Sequence, residues 1–196
     1  MMEHLFLFPS LLTVYDCEDF HEIQSDLVQW IYKYQKLDEG RTLSNIGGWQ
    51  SNNVVYTSDF EKYLNYMKIH LKNIIQSILS PDSKAELINV WININKKHDF
   101  NWNHVHPDSH LSGVFWIKCP ENSGDLVFDS PHSFSDWKLY SSVKDDYKKS
   151  YFMRELVNLS PTEGTILVFP PNLRHGVSPN TSDEDRISIA FNIKLH

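Results

Sequence analysis

Two histidines and a carboxylate crowd one short stretch, Asn103-His104-Val105-His106-Pro107-Asp108, and a further imidazole follows far downstream in Arg174-His175-Gly176-Val177. On an extended chain, residues two apart point the same way. His104 and His106 can therefore aim at one point, and so can His106 and Asp108. Either pair, joined by His175 from a distant strand, makes a facial set of three ligands with open positions, an arrangement suited to non-haem Fe(II). The two pairs differ in charge. With Asp108 the site carries one anionic ligand; with His104 and His106 all three ligands are neutral and the metal keeps its full double charge.

A second group follows in Arg186-Ile187-Ser188-Ile189-Ala190-Phe191-Asn192-Ile193, where apolar residues alternate strictly, as in a half-buried strand. Arg186 and Ser188 share its polar face. A guanidinium fork binds a carboxylate bidentately, and a hydroxyl two residues on reaches the same group. His175 and Arg186 are expected on neighbouring strands joined by the Pro179–Asp185 loop. The bland alternative for Arg186 is a surface ion pair with Asp183, Glu184 or Asp185.

In this combination the chain resembles the 2-oxoglutarate and Fe(II)-dependent oxygenases. His104-Val-His106-Pro, Ser112-Gly-Val-Phe-Trp116, Gly124-Asp-Leu-Val-Phe and Leu167-Val-Phe-Pro170 are similar, more closely, to an oxygenase branch found in marine bacteria and their phages. The resemblance spans roughly residues 86 to 195, and Ser44-Asn-Ile-Gly-Gly-Trp-Gln-Ser51 extends it weakly toward the N-terminus. It implies Fe(II) and 2-oxoglutarate as cofactors, with the far carboxylate of 2-oxoglutarate on Arg186 and Ser188. It implies O2 as co-reactant and hydroxylation of an unidentified C–H bond, in a metabolite or a peptide side chain. The generic oxygenase pattern, His-x-Asp, is met by His106-Pro107-Asp108. The closer branch places the ligand pair at His104 and His106, and Pro107 favours this by turning the chain away just after a ligand. The working set is His104, His106 and His175, with Asp108 the alternative to His104. The rival function is a cupin-like metal or small-molecule binder without turnover, which has no need of the Arg186-x-Ser188 pair.

The whole chain sets the frame. Its 196 residues are 41% hydrophobic and 13% aromatic, enough for one domain with a proper core. A formal charge of −7 without clustered Lys and Arg argues against nucleic acid as partner. Two distant cysteines, Cys17 and Cys119, read as free thiols in a reducing cytoplasm. No apolar run approaches membrane-spanning length. Met1–Phe8 reads as a first strand rather than a signal peptide. The partners expected are 2-oxoglutarate, O2 and the substrate, with neither nucleic acid nor membrane and with a homodimer admitted.

The elements that must hold these residues follow from periodicity. Short strands are expected at Leu5–Phe8 and Leu11–Val14. Asp19 with Glu22, and Ser58 with Glu61, mimic capping boxes that open two amphipathic helices. The second should end near Ser80, before Pro81. Residues 38–55 carry Gly40, Gly47, Gly48 and several Asn, the chemistry of a connection or of a flap with Trp49 as its apolar contact. From Leu87 the period becomes two, so Asn89, Trp91, Asn93 and Asn95 share a polar face that meets either solvent or a ligand cavity. Ser112–Lys118 and Asp125–Phe128 read as a hairpin, 130–150 as a loop or lid, and Glu155–Leu159, Thr165–Phe169 and Arg186–Leu195 as further strands. Helices first and many short strands after favour a mainly β, α+β chain. The expected fold is a double-stranded β-helix (jelly roll, cupin-like) buttressed by N-terminal helices. One domain is expected over 1–196, with the buttress in 1–85 and the core in 86–196. Of the other histidines, His4, His21, His70 and His196 read as surface residues and His98 and His132 as turn residues. His110 is a candidate supporting donor, and Asn103, Ser112 and Trp116 are candidate pocket walls.

Overall fold

The computed structural model of the protein describes residues 10–80 and 82–196; the strand expected at Leu5–Phe8 lies outside them. Two antiparallel sheets face each other. The larger orders its strands β1 (Thr13–Asp16), β9 (Thr165–Phe169), β6 (Leu111–Lys118), β11 (Arg186–Leu195), β4 (Ala85–Asn95) and β3 (Trp49–Gln50). The smaller orders β2 (Asn45–Ile46), β5 (Phe100–His104), β10 (His175–Val177), β7 (Leu126–Asp129) and β8 (Leu156–Leu159). This is the expected double-stranded β-helix.

Period-two alternation divides the larger sheet into two faces. Val90, Ile92 and Ile94 of β4 and Ile187, Ile189, Phe191 and Ile193 of β11 join one core with Leu27 and Ile31 of α1 (His21–Gln35) and Leu64, Met67, Leu71 and Ile74 of α2 (Glu61–Ile78). Each such side chain contributes about 1.5–3 kcal/mol on burial, which fixes the helices on this face. The opposite face looks across to the smaller sheet. There Val114, Trp116, Leu126, Phe128, Leu167 and Phe169 make a second apolar cluster beside the polar side chains of β4 and β11.

Several sequence expectations need correction. Asp19 and Ser58 do not cap: the N-cap residues are Phe20 and Phe60, both buried and neither with a side-chain capping bond. Burying an aromatic ring offsets the single hydrogen bond forgone at each end. Asp19 instead accepts from the Tyr66 hydroxyl at 2.7 Å and stands 3.3 Å from His70 Nε2, so His70 is buried rather than at the surface. Strands β6 and β7 are no hairpin. Both edges of β6 are occupied, by β9 and β11, and β7 lies between β10 and β8 in the other sheet. For the same reason β10 and β11 are not neighbours, and His175 and Arg186 approach the interior from opposite sheets.

The segment 38–55 bridges the two sheets. Its β2 pairs with β5 and its β3 with β4, and Gly47 and Gly48, at φ 66° and 58°, make the turn between them in the left-handed region. Trp49 faces away from the sheet interior, edge-on to Tyr34 with its Nε1 donating to Asp38 O at 3.0 Å, so it anchors the segment to α1. The 130–150 region folds into two single-turn 3₁₀ segments and a short helix, α3 (Asp145–Ser150). Among the described residues no helix is long and apolar enough to cross a membrane.

Gly113 of β6 is where the helix-facing core has no spare room. A Cβ there would meet the Leu167 carbonyl oxygen and the Phe191 ring, each at 2.4 Å. Gly113→Ala should therefore lower stability by about 1–3 kcal/mol, read as an earlier urea midpoint with an unchanged slope. A midpoint equal to wild type would show that β6 and β11 have slack that this packing denies.

Candidate metal centre and cosubstrate pocket

His104 is the last residue of β5 and pairs across the ladder with His175, the first of β10. His106 lies just beyond the strand, in a loop fixed where its backbone N–H donates to Pro171 O at 2.8 Å. Strand alternation alone therefore does not align His104 with His106; the Pro171 tether completes the approach. The three rings sit with centroids 4.5–5.1 Å apart, and one nitrogen from each falls within 4.8 Å of the others. Asp108 is exposed on the cleft wall and stands outside this group.

Orientation is set by the second nitrogen of each ring. His175 Nδ1 lies 2.8 Å from Leu173 O and His104 Nδ1 lies 2.6 Å from Trp102 O. A carbonyl only accepts, so both Nδ1 atoms carry the proton and both Nε2 atoms present lone pairs. His106 Nε2 is 3.3 Å from His175 Nε2. Phe169 and Phe128 enclose the His175 ring, and Trp91 of β4 stacks on His106 at 5.6 Å. Burial pushes His175 down to about 3 and His106 down to about 4, and lowers His104 as well, with the neighbouring rings adding to the shift on His106 and His175. Three neutral donors converge where a proton is disfavoured. This donor set fits a divalent first-row metal.

Arg186 opens β11 toward the interior and is wholly buried. Its Nη1 donates to Ser123 O and, at 3.1 Å, to Ser178 O, while Nε and Nη2 have no partner. The two free atoms are the side-on edge of the guanidinium, the edge that grips a carboxylate with two parallel bonds. The surface ion-pair alternative does not hold. Asp183 pairs with Lys97, Glu184 with Lys118, and Asp185 accepts from the Tyr32 hydroxyl. Among the described residues Arg186 makes no ion pair, and burial lowers it to about 10. Ser188, also buried, faces Asn93 and Trp116 across its two ladders, and Gln50 faces Asn93 in turn. Directly opposed residues share a face. The unpartnered buried atoms Gln50 Oε1 and Asn93 Oδ1 and the Arg186 edge thus lie on the interior face of the larger sheet, and Ser123, whose carbonyl takes Arg186 Nη1, leaves its own buried Oγ unpartnered in the β6–β7 connection. A small dicarboxylate fits this set, since either amide presents its NH2 by rotation about its last bond.

Above the histidines opens a cleft of about 570 Å³ whose walls include Arg41, Gln50, Asn89, Trp91, Trp102 and Asn192. The polar face of β4 therefore meets this cleft at Asn89 and Trp91, while Asn93 and Asn95 farther along the strand are buried. Asn103 reaches the cleft and donates to both Asp129 oxygens, at 2.9 and 3.0 Å, while Ser112 bonds to Asn192 and Trp116 belongs to the inner apolar cluster. His110 accepts from Leu195 N at 2.8 Å and supports the strand end, not the cluster. Sequence reasoning passed over Arg41, Gln50 and Asn192. The alternation of β11 was the available signal for Asn192, whereas Arg41 lies outside the named strands and Gln50 in a two-residue strand too short to show a period.

A family model described as "Putative 2OG-Fe(II) oxygenase" matches residues 89–192. No curated protein matches the sequence. Among solved structures the fold is similar to a 2OG-Fe(II) oxygenase-family oxidoreductase from Burkholderia pseudomallei, with TM-score 0.64, 14% identity, and coverage of 93% of this chain and 84% of that one. It is similar to a Pseudomonas putida prolyl-4-hydroxylase, with TM-score 0.60, 13% identity, and coverage of 93% and 91%. It is also similar to HygX from Streptomyces hygroscopicus, crystallised with nickel and 2-oxoglutarate, with TM-score 0.63, 11% identity, and coverage of 94% and 82%. At these identities the likeness is one of fold.

The depressed histidines make an acid signature. A group whose folded pKa lies below its unfolded value of 6.5 takes up its proton in the unfolded chain first. Stability of the metal-free protein should therefore fall as pH drops below about 6.5 and go on falling toward about 4 and then 3. Urea midpoints across this range should show a shallower decline for His175→Leu than for wild type. Parallel declines would mean that His175 carries none of the effect.

Proposed function

The chain belongs to the 2OG-Fe(II) oxygenase family, and from that premise we propose that it is an Fe(II)- and 2-oxoglutarate-dependent hydroxylase. In this reading His104, His106 and His175 hold the metal, and Arg186 with Ser188 holds the far carboxylate of 2-oxoglutarate. The observation that carries it is the buried, unpartnered edge of Arg186. A fully buried guanidinium with two idle donors is costly unless an anion occupies the site. A metal binder without turnover gives no reason to retain it. HygX, crystallised with nickel and 2-oxoglutarate, supports the pairing of a metal with this cosubstrate on the same fold.

Bound metal and 2-oxoglutarate supply the oxidation: O2 delivers one oxygen atom to the substrate C–H and one to the cosubstrate, which leaves as succinate and CO2. The chain's own work is positional and electrostatic. Leu173 O and Trp102 O hold two imidazoles in the tautomer that offers Nε2. Burial keeps all three rings neutral, so no proton need be displaced at neutral pH. Ser123 O and Ser178 O take one end of the Arg186 fork and turn the other inward. The Val114, Trp116, Leu126, Phe128, Leu167 and Phe169 cluster keeps water from the neighbouring interior. The cleft lined by Arg41, Trp91 and Trp102 admits the substrate from the opposite side of the histidines.

The test is anaerobic titration with Fe(II) and 2-oxoglutarate, watching for the weak visible charge-transfer band of the chelate, followed by succinate release in air. Removing one partner of a buried charged pair costs on the order of 3–5 kcal/mol. Arg186→Ala should therefore weaken 2-oxoglutarate binding by about two to three powers of ten, with metal affinity intact. Arg186→Lys should recover it in part, because an ammonium lacks the planar fork. Calorimetry giving one 2-oxoglutarate affinity for all three proteins would refute the clamp.

The ligand choice has its own test. His104→Ala should lose most Co(II) or Mn(II) affinity, and Asp108→Ala should stay within a few-fold of wild type. The reverse ranking would make His106-Pro107-Asp108 the working pair.

A further inference from the structure

The cleft above the histidines is lined by one cation and one anion, Arg41 and Asp108. Neither side chain makes a hydrogen bond or an ion pair among the described residues. They enter from opposite flanks of the larger sheet. Arg41 N donates to Gln50 O at 2.7 Å and so bridges to β3, the edge strand. Asp108 lies in the turn that leads into β6, on the far side of β4 and β11 from β3.

Between the two charges the cleft is apolar. Trp102 stands two residues before His104 on β5, so their side chains share a strand face. Its indole is 61% exposed and is held edge-on by Phe100 at 5.5 Å. Trp91 stacks on His106 from the other sheet, and the exposed side chains of Leu43 and Val105 complete the rim. Beside Arg41, Gln50 also lines the cleft; it is only 3% exposed, and its Oε1 has no partner. An uncovered indole next to the histidines calls for an apolar body. A buried amide with an idle atom next to a free guanidinium calls for a polar head group.

We propose that this cleft selects a small monocarboxylate substrate, whose carboxylate meets Arg41 beside Gln50, whose apolar body lies on Trp102, and whose neutral or cationic far end faces Asp108. This rests on the reading of the site as an oxygenase and names the class of molecule it acts on. A cleft of about 570 Å³ has the size of a small-molecule site. A guanidinium fork matches a planar carboxylate with two parallel bonds. A molecule with two negative charges would find one cation to meet the first and Asp108 to repel the second. Arg41 is on this account a specificity-determining residue: by fixing the head group it decides which C–H lies over the histidines.

The test uses the full chain loaded with Co(II) and saturating 2-oxoglutarate under nitrogen. Three probes share one body: 3-phenylpropanoate, its amide, and 3-(4-carboxyphenyl)propanoate. Calorimetry should show wild type binding the monoacid about 5- to 10-fold more tightly than the amide, the scale of a partly solvent-screened ion pair. The diacid should bind more weakly than the monoacid, and Asp108→Asn should narrow that gap. Arg41→Gln should erase the preference for acid over amide, and Arg41→Lys should keep part of it. Trp102→Ala should weaken acid and amide alike. The 2-oxoglutarate affinity of Arg41→Gln should equal that of wild type, which separates this group from Arg186.

The outcomes fall on two levels. A wild-type chain that takes up neither Co(II) nor 2-oxoglutarate would remove the oxygenase reading and the inference with it. With both bound, three results would each overturn the inference and leave that reading standing: no binding of the monoacid, equal binding of acid and amide, or an acid preference that survives in Arg41→Gln. Loss of 2-oxoglutarate binding in Arg41→Gln would assign Arg41 to the cosubstrate and overturn the inference as well.

Discussion

Pairing of β4 with β11 is the constraint on which the rest depends. Ten positions match along the two strands, from Arg186 opposite Asn95 to Leu195 opposite Ala85. In this register every apolar residue of one strand lies beside an apolar residue of the other, Ala190 beside Trp91 among them, and every polar residue lies beside a polar one. A slip of one residue would turn Ile187, Ile189 and Phe191 into the interior and Arg186 and Ser188 under the helices. The helices prevent it. Leu27, Ile31, Met67 and Ile74 are fully or almost fully buried against that apolar face, so dry packing on one side holds a polar surface in place on the other.

That polar surface is the expensive part of the molecule. A ladder carrying Asn89, Asn93, Asn95, Arg186, Ser188 and Asn192 would ordinarily be solvated, yet four of these are less than one-tenth exposed. The chain satisfies some of them itself. Asn53 Nδ2 donates to Asn89 Oδ1, Ser112 donates to Asn192, and two carbonyls take the Arg186 Nη1. What it leaves unsatisfied is confined to Gln50, Asn93, Ser123 and Arg186 among the described residues. Burying a polar group unpaired costs about 1–3 kcal/mol. A cluster of such groups in one interior is therefore a surface made for a polar ligand rather than scattered packing error.

The parts of this design readable in sequence were those with a short period or a strong chemical type. The apolar alternation of 186–195, the four-and-three spacing of Phe60 to Ile78, and the pairing of His104 and His106 with His175 each survive in three dimensions. What failed did so where long-range pairing decides. Ser112–Lys118 and Asp125–Phe128 look like a hairpin because only a short loop separates them. Each strand's edges are instead claimed by partners far away in sequence, β9 and β11 for one and β8 and β10 for the other. Capping boxes at Asp19 and Ser58 lost to buried phenylalanines for a related reason, since burial of a ring depends on neighbours that local spacing does not reveal. The cleft walls Arg41 and Gln50 sit on a segment whose Gly47–Gly48 turn hands it from one sheet to the other. Nothing in its local pattern gives its destination.

The two halves of the site are built by different means, and this follows from charge. The groups that touch the histidine rings are neutral: carbonyls on His104 and His175, and aromatic faces against His106 and His175. On β11 the protein supplies a buried cation, Arg186, that makes no ion pair among the described residues. A divalent metal on neutral imidazoles adds further positive charge to an interior that holds no carboxylate in its cluster. On the proposed reading, a dianion reaching both the metal and Arg186 would balance the site, which the metal alone would not. Metal and dicarboxylate would then be coupled through that shared deficit, each favouring the other's binding with no change of shape required.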